Sequence, residues 1–366
     1  MSRRVTRLLM TVDAVGGVWQ YATELACALR PLGFETVLAV LGPPPTPEQR
    51  TAIKRCKGVT LVETGLPLDW MSEAASTRRA AAELAALARR EKVDLVHLNS
   101  PALAAGQAWP APVVAVAHGC LASWWDAARS GQPLDPAFAW HREMMAQALR
   151  TCDRVIAPSV SFAETLRRVY GLAVAPQVVH NGRALPARVR ATAGTNSALT
   201  AGRMWDEVKN LATLDKAAAL VPFPFHAAGT TTAPHGEVAT ADHLHLLGQL
   251  DAAAFAAKLE QRPVFVSAAT FEPFGLAVLE AAGARCPLVL SDIPTFRELW
   301  DGAVVFVDPL DAAGFAAAIE AIIRDPDHRD ALGEAAQARA QRYVPERMAN
   351  AMAEHYRDLM AARLAA

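Results

Sequence analysis

The sequence predicts an α/β protein built from two doubly wound units, and three observations predict it. Apolar runs such as 93–98 and 264–267 are continuous rather than alternating, the mark of parallel strands covered on both faces. Helix-length stretches separate them, so strand and helix alternate along the chain. The third observation is size with one interruption. A chain of 366 residues exceeds one comfortable core. Its alternation breaks only in 183–197, where Pro, Gly, Thr and basic residues gather without periodicity.

Taken in order, strands are expected at 8–12, 35–40, 93–98, 113–117, 154–157 and 177–180. Helices are expected at 18–30, near Glu48 and at 73–90. The second half has strands at 198–201, 223–227, 245–248, 264–267, 288–290 and 304–307, then a helical tail from Ala312 broken at Pro326 and Pro345. Residues 1–183 are thus expected to form one unit, 184–197 a linker and 198–345 a second unit. Residues 346–366 are expected to form a helix that packs back toward the first. Two such units joined by a short connection would face each other across a cleft, a favoured place for small molecules.

Composition narrows the function. Hydrophobic residues make up 52% and charged residues 20%, with 36 basic against 37 acidic side chains and a net charge of −1. That balance argues against a nucleic-acid binder. The five cysteines include no Cys-x-x-Cys pair, so they are expected to be reduced thiols in a cytoplasmic protein. The opening MSRRVTRLLM is broken by Arg7 and lacks a small-residue cleavage site, and it reads as a first strand. No apolar run approaches the ~18 residues of a transmembrane helix, so any membrane contact is expected to be peripheral.

The stretch most suited to chemistry is Thr270–Gly283, TFEPFGLAVLEAAG. It reads as a loop and then a helix from about Gly275 to Gly283, between two strands. Glu272 precedes the helix start, where the dipole's positive end and the free amides of Phe274, Gly275 and Leu276 gather. Glu280 is the only polar residue in a helix expected to be buried, so it needs a hydrogen-bonding partner. In open α/β sheets this loop lies at the carboxyl ends of the strands, where ligands bind. A ligand with hydroxyls and phosphates would suit it. A surface Glu272 and a Glu280 paired with an unseen cation explain the same residues without a ligand.

A second motif, GRMWDEVKN, follows the strand at 198–201. Arg203 and Lys209 flank an expected helix start capped by Asp206, with Lys209 in its first turn. Arg as a fork and Lys as a point charge can converge on a diphosphate, although both can equally be solvated surface residues.

Together these motifs resemble glycosyltransferase family 4, the retaining, nucleotide-sugar-dependent group with the GT-B fold. Glu272 and Glu280 match its Glu-x7-Glu motif, and His118-Gly119 matches its acceptor-domain histidine. His180-Asn181-Gly182 resembles its turn before the linker, and Ser291-Asp292-Ile293-Pro294 and Arg297-Glu298-Leu299 continue the likeness. The resemblance implies that Arg203 and Lys209 hold the donor diphosphate and that Glu280 binds the ribose. It implies that Glu272 and the amides of Phe274, Gly275 and Leu276 face the donor sugar, and that Leu247-Gly248 lie where the base is read. Gly16-Gly17 would let backbone approach the phosphates or sugar, and His118 would lie against the sugar at the reaction centre. The implied catalytic set is His118, Arg203, Lys209 and Glu272. Fixed cations and helix amides can stabilise a leaving diphosphate without a metal. No cofactor is expected beyond the nucleotide diphosphate sugar, a UDP- or GDP-sugar, as co-substrate.

Ser267-Ala268-Ala269-Thr270 departs from the family's Pro-Ser before the motif. His226, His235, His243 and His245 match no zinc spacing. Trp19, Trp124, Trp125 and Arg129 either line an acceptor pocket, since aromatic faces stack on sugars, or fill the core. His97 and Asn99 end a strand facing the same expected cleft, with His97 read as structural. The implied activity is retaining sugar transfer to the hydroxyl of a carbohydrate or lipid-linked glycan, in cell-envelope or exopolysaccharide synthesis. A sugar-nucleotide epimerase, a phosphorylase or a non-catalytic sugar-nucleotide-binding protein shares the fold, and fold alone does not choose.

Overall fold

The computed structural model describes residues 5–186, 194–234 and 236–365. Residues 187–193 of the expected linker, and His235, lie outside the described residues. The chain divides into two compact units. One runs to Ala184 and resumes at Val344, and the other is Leu185–Tyr343.

In the first unit the chain order is β1 (Thr6–Asp13), α1 (Gly17–Leu29), β2 (Phe34–Leu41), α2 (Pro47–Lys54), β3 (Val59–Leu66) and α3 (Ala74–Arg90). It continues through β4 (Leu95–Leu98), β5 (Val113–Val116), α4 (Leu121–Ala128), α5 (Ala139–Thr151), β6 (Arg154–Ala157), α6 (Val160–Tyr170) and β7 (Gln177–Val178). Among the described residues its sheet is ordered β3-β2-β1-β4-β5-β6-β7, with β1 parallel to both β2 and β4. The order reverses direction between β1 and β4, which makes the crevice above their carboxyl ends a switch point. β3 was not expected from the sequence. It is an edge strand with no fully buried residue, and Thr and Glu interrupt its apolar run.

The second unit follows the same plan with β8 (Ala198–Ala201), α7 (Leu211–Ala218), β9 (Phe225–Ala228), β10 (His245–Gly248), α8 (Ala252–Glu260) and β11 (Val264–Ser267). Next come α9 (Leu276–Gly283), β12 (Leu288–Ser291), α10 (Pro294–Trp300), β13 (Val305–Val307), α11 (Ala312–Arg324) and α12 (Pro326–Ala340). Its sheet order is β10-β9-β8-β11-β12-β13, with the switch point between β8 and β11. The final helix, α13 (Pro345–Ala365), belongs to the first unit. Its Met348, Met352 and Tyr356 share a core with Leu8, Met10, Trp19, Tyr21 and Phe34. Each such large apolar side chain, fully buried, contributes about 2 kcal/mol of transfer free energy.

One expectation about cysteine is overturned. Cys27 on α1 and Cys56 after α2 form a disulfide with a Cα–Cα distance of 5.4 Å. Their 29-residue separation carried no signal, because the pairing depends on α1 and α2 meeting in space. Cys120, Cys152 and Cys286 are free thiols. Among the described residues no helix is long and apolar enough to cross a membrane.

Candidate active site

The second unit's switch point brings the loop after β8 against the loop after β11. Lys209 falls in the first turn after the Asp206 cap, as expected, but that turn is 3-10 rather than α-helical. It ends a short 3-10 turn, Glu207–Lys209, whose start Asp206 caps by accepting from Val208 N–H. Asn210 then takes left-handed backbone, φ 57°, and starts α7. Asparagine tolerates that conformation because its short amide finds local partners. Here the amide donates to Ala268 O at 3.1 Å and Pro309 O at 2.6 Å, tying the turn to the ends of β11 and β13. Thr270 N–H donates to Val208 O at 2.9 Å from the opposite side.

Held in this way, the Lys209 ammonium meets the Glu272 carboxylate at 2.5 Å, with side-chain exposures of 20% and 17%. Arg203 is 56% exposed, pairs with the buried Asp206 at 2.8 Å and lies over the Trp205 ring at 5.4 Å. Lys209 and Glu272 are therefore brought into contact, while Arg203 is anchored beside them through Asp206. Asp206 was read only as a cap, and its second role as partner to Arg203 had no sequence signal.

Glu272 is aimed by Gly275. With φ at 91°, Gly275 sits in the left-handed region just before α9. A β-carbon there would lie 3.1 Å from the Phe296 ring and 3.5 Å from Glu272 Cγ. Phe274 fixes the loop from below, buried with its ring 5.7 Å from Tyr343. One expectation changes on α9. Glu280 is half-buried rather than enclosed, because Leu276, Ala277 and Glu280 form the open stripe of the helix. Val278, Leu279, Ala281 and Ala282 bury the remainder. Helical spacing places Glu280 one turn below Leu276 on that stripe, on the same helix whose first free amides follow Glu272.

The strand ends beside this loop approach closely. Gly229 N–H donates to Gly248 O at 2.8 Å. A β-carbon on Gly229, φ 138°, would fall 1.7 Å from Gly202 O. Leu247 is half-buried and Gly248 exposed at the end of β10. His226 and His245 lie on paired strands with ring centroids 5.5 Å apart.

In the first unit, Gly16 and Gly17 are exposed after β1, with Gly16 at the N-cap of α1 in extended backbone, φ −149°. Nothing lies within 4 Å of a β-carbon placed on Gly16. His118, just beyond β5, is half-buried and meets Asn99 Oδ1 through Nε2 at 2.7 Å. His97 Nε2 meets the same oxygen at 3.0 Å, and His97 Nδ1 meets Tyr356 Oη at 2.5 Å. The Tyr21 ring stands edge-on to His118, centroids 4.3 Å apart. Burial lowers His97 to about 4. Burial, with repulsion from His97 second, lowers His118 to about 3. Both rings are neutral at pH 7. Tyr356 is what the sequence reading missed, together with the hydrogen bonds that make Asn99 the link between His97 and His118. The pairing of His97 and Asn99 at i, i+2 on one strand face was the available hint.

Trp19 is not open to a ligand. It is 5% exposed and part of the core. Trp124 and Trp125 are half-buried on α4, and the Arg129 guanidinium lies over the Trp125 ring at 5.3 Å. Trp125, Asp126, Gln132, Arg142 and Arg168 line an open recess of about 290 Å³.

Residues 15–185 match the family model described as Glycosyltransferase Family 4, and residues 195–339 match that described as Glycosyl transferases group 1. A glycogen synthase of Mycobacterium tuberculosis is 28% identical over 279 residues. The match covers 69% of this chain, which spans 65% of that relative's length. A phosphatidyl-myo-inositol mannosyltransferase of Mycobacterium leprae is 34% identical over 105 residues, 28% of each chain. Sucrose-phosphate synthase of Thermosynechococcus elongatus superposes with a TM-score of 0.80 at 20% identity, over 98% of this chain and 100% of that one. Anabaena HepE, solved with UDP-glucose, gives 0.72 at 19% identity, over 96% of this chain and 100% of that one. These two likenesses are of fold, and the fold is GT-B.

Proposed function

Because this chain belongs to the family 4 glycosyltransferases, we propose that it moves a sugar from a nucleoside diphosphate donor to a hydroxyl acceptor, retaining the anomeric configuration. The observation that carries the reading is the ion pair of Lys209 with Glu272 at the second unit's switch point, beside the start of α9. Breaking a sugar–phosphate bond builds negative charge on the departing diphosphate. Lys209, Arg203 and the first free amides of α9 supply fixed positive potential for that charge. Glu280, on the open stripe of α9, accepts hydrogen bonds from the ribose hydroxyls. Leu247 and Gly248 present backbone to the base. In the first unit, Gly16 and Gly17 offer open backbone and His118 a ring at the carboxyl ends of β1 and β5. No metal is required in this scheme, because the protein's own donors balance the leaving charge.

The acceptor is a carbohydrate or lipid-linked glycan, with Trp124, Trp125 and Arg129 as its candidate contacts. A role in envelope or exopolysaccharide synthesis, in the cytoplasm and with peripheral membrane contact, accords with the names of the glycan- and lipid-modifying relatives. HepE is solved with UDP-glucose, which makes that donor the first to try.

The test is a thermal-shift panel of UDP-, GDP- and ADP-sugars. One nucleotide class should raise the melting temperature, and Lys209→Ala and Glu280→Ala should each abolish most of the shift. Release of free nucleotide, with the product anomer read by NMR, then separates a retaining transferase from a binding protein. A flat panel across all three bases would remove the donor assignment.

A further inference from the structure

The open recess of the first unit, about 290 Å³, is walled by α4, α5, α6 and the connector between α4 and α5. Its walls are tied to one another. Tyr170 Oη, at the end of α6, donates to Cys120 Sγ at the start of α4, 3.1 Å away. Arg150 Nη2 on α5 donates to Tyr170 O at 2.8 Å. The Trp125 ring packs against Trp124 and Phe138, with centroids 6.4 and 6.2 Å away. The recess is thus preformed, and a ligand need not spend binding energy on ordering it. Its charges do not cancel. Arg168 pairs with Asp126 at 2.8 Å. Arg142 makes no ion pair with the described residues, and its hydrogen bond to Val169 O is 3.5 Å long and therefore weak. The Gln132 side chain is exposed and makes no hydrogen bond to the described residues.

We propose that this recess binds a hexuronate, a sugar unit carrying a carboxylate, with Arg142 on the carboxylate, Asp126 and Gln132 on the hydroxyls and Trp125 against the sugar ring. The lining selects that class. Arg142 and Arg168 against Asp126 leave one net positive charge, which suits a monoanion. A guanidinium fork matches a carboxylate through two parallel hydrogen bonds. Sugar hydroxyls need acceptors as well as donors; the Asp126 carboxylate accepts and the Gln132 amide does both. Indole surface covers the apolar face of a pyranose. A phosphate dianion would meet Asp126 as a like charge and leave the indole unused, and a neutral sugar would leave Arg142 without a partner. The volume lies just below the range of drug-sized sites, so one monosaccharide unit is what it holds. The recess lies wholly within the first unit and shares no residue with the donor groups of the second. The inference therefore goes beyond the transfer reaction, since binding here requires neither nucleotide nor turnover.

Titration of the full-length protein with methyl glucuronide, methyl glucoside and glucose 6-phosphate, followed by calorimetry or ligand-observed NMR, tests this. The glucuronide should bind one to one, and the glucoside at least roughly tenfold more weakly, the worth of one charge-assisted fork. Arg142 is exposed, so Arg142→Gln should fold normally, and it should bring the glucuronide down to the level of the glucoside. Lys209→Ala should leave glucuronide binding unchanged, which places the ligand outside the second unit's site. Raising the ionic strength from about 0.05 to 0.5 M should weaken the glucuronide several-fold and the glucoside not at all. Equal affinity for the two glycosides, or glucuronide binding indifferent to Arg142→Gln, would overturn the proposal. So would tighter binding of glucose 6-phosphate, which would make this a phosphate site, or a lack of saturation by about 50 mM glucuronide. A flat donor panel would leave these results untouched, and their failure would leave the donor assignment standing.

Discussion

Lys209 and Glu272, 63 residues apart in sequence, meet in a 2.5 Å ion pair across the switch point of the second sheet. Neither is free surface, so the pair is preformed before any ligand arrives. On the proposed function, a donor diphosphate entering here would take over the ammonium and free the carboxylate to turn to a sugar hydroxyl. Removing either partner leaves a mostly buried charge uncompensated, at a cost of roughly 1–3 kcal/mol. Lys209→Met and Glu272→Gln are both expected to lower the melting temperature. Their ligand responses should split. Lys209→Met weakens nucleoside diphosphate binding at least tenfold, whereas Glu272→Gln leaves it within about threefold and lowers kcat. Isothermal titration with the diphosphate alone checks this, and equal loss in both variants would contradict it.

Acid should weaken the first unit well before its carboxylates protonate. Burial lowers His97 to about 4, and burial with the neighbouring His97 lowers His118 to about 3. In the unfolded chain both titrate near 6.5. Between those limits the unfolded state binds more protons, so stability rises with pH. It is complete above about 6.5 and is lost as pH falls toward the folded values. Each histidine contributes up to about 1.4 kcal/mol per pH unit inside that window. Asp69 acts lower down. Burial alone would raise its carboxyl, but the hydrogen bond and charge of His141 bring the net shift below the ordinary value. Its contribution therefore disappears only below about pH 4. Urea midpoints at pH 7, 6 and 5 should fall steadily, and His118→Gln should make the fall shallower. An unchanged slope would mean the ring is not held neutral.

The sequence disclosed the alternation of the fold because most strands are covered on both faces, and that covering writes itself as continuous apolar runs. β3 escaped because an edge strand need not be apolar. One part of the second unit's candidate site was legible because its pieces are local, whereas nothing local encodes the meeting of Glu272 with Lys209, 63 residues away. Glu272, Gly275 and Glu280 lie within one loop and helix, and Gly275 alone announces the left-handed turn that aims Glu272. The same local reading misjudged Glu280, because counting apolar neighbours treated Leu276 and Ala277 as core when they form the open stripe. The first unit's constellation was mostly hidden. Tyr356 reaches His97 from 259 residues away, on a helix that follows the whole second unit, and no periodicity encodes such a contact.

The Cys27–Cys56 disulfide predicts a redox dependence of stability without one of chemistry. It joins α1 to the segment after α2, and neither cysteine is among the candidate site residues. Closing a loop of this length stabilises a folded chain by about 3 kcal/mol through the unfolded state. Intact-protein mass should rise by about 2 Da on reduction, the two hydrogens of one bridge, and three thiols should react once the unreduced protein is unfolded, since Cys286 is fully buried in the folded chain. Dithiothreitol, or Cys27→Ala with Cys56→Ala, should lower the melting temperature by several degrees and leave nucleotide binding unchanged. Five reactive thiols in freshly prepared protein would refute the bridge.

Two glycines should separate a structural requirement from a functional one. Gly229 has no room, since a β-carbon would sit 1.7 Å from the Gly202 carbonyl, and its φ of 138° is itself strained for other residues. Gly229→Ala must push away the backbone that carries Arg203, at a cost of roughly 2–3 kcal/mol from strain and overlap. Melting temperature and nucleotide affinity should fall together. Gly16 is the reverse case. Its φ of −149° suits any residue, and nothing lies within 4 Å of an added β-carbon. Gly16→Ala should leave the melting temperature within about one degree, since no contact within the unit is disturbed. If the absent side chain is there to admit a ligand, the same methyl should cut turnover by an order of magnitude or more, because misplacement of a bound group by a fraction of an ångström is costly at a reacting centre. A Gly16→Ala enzyme with full turnover would leave the exposed backbone of Gly16 and Gly17 without a part in catalysis.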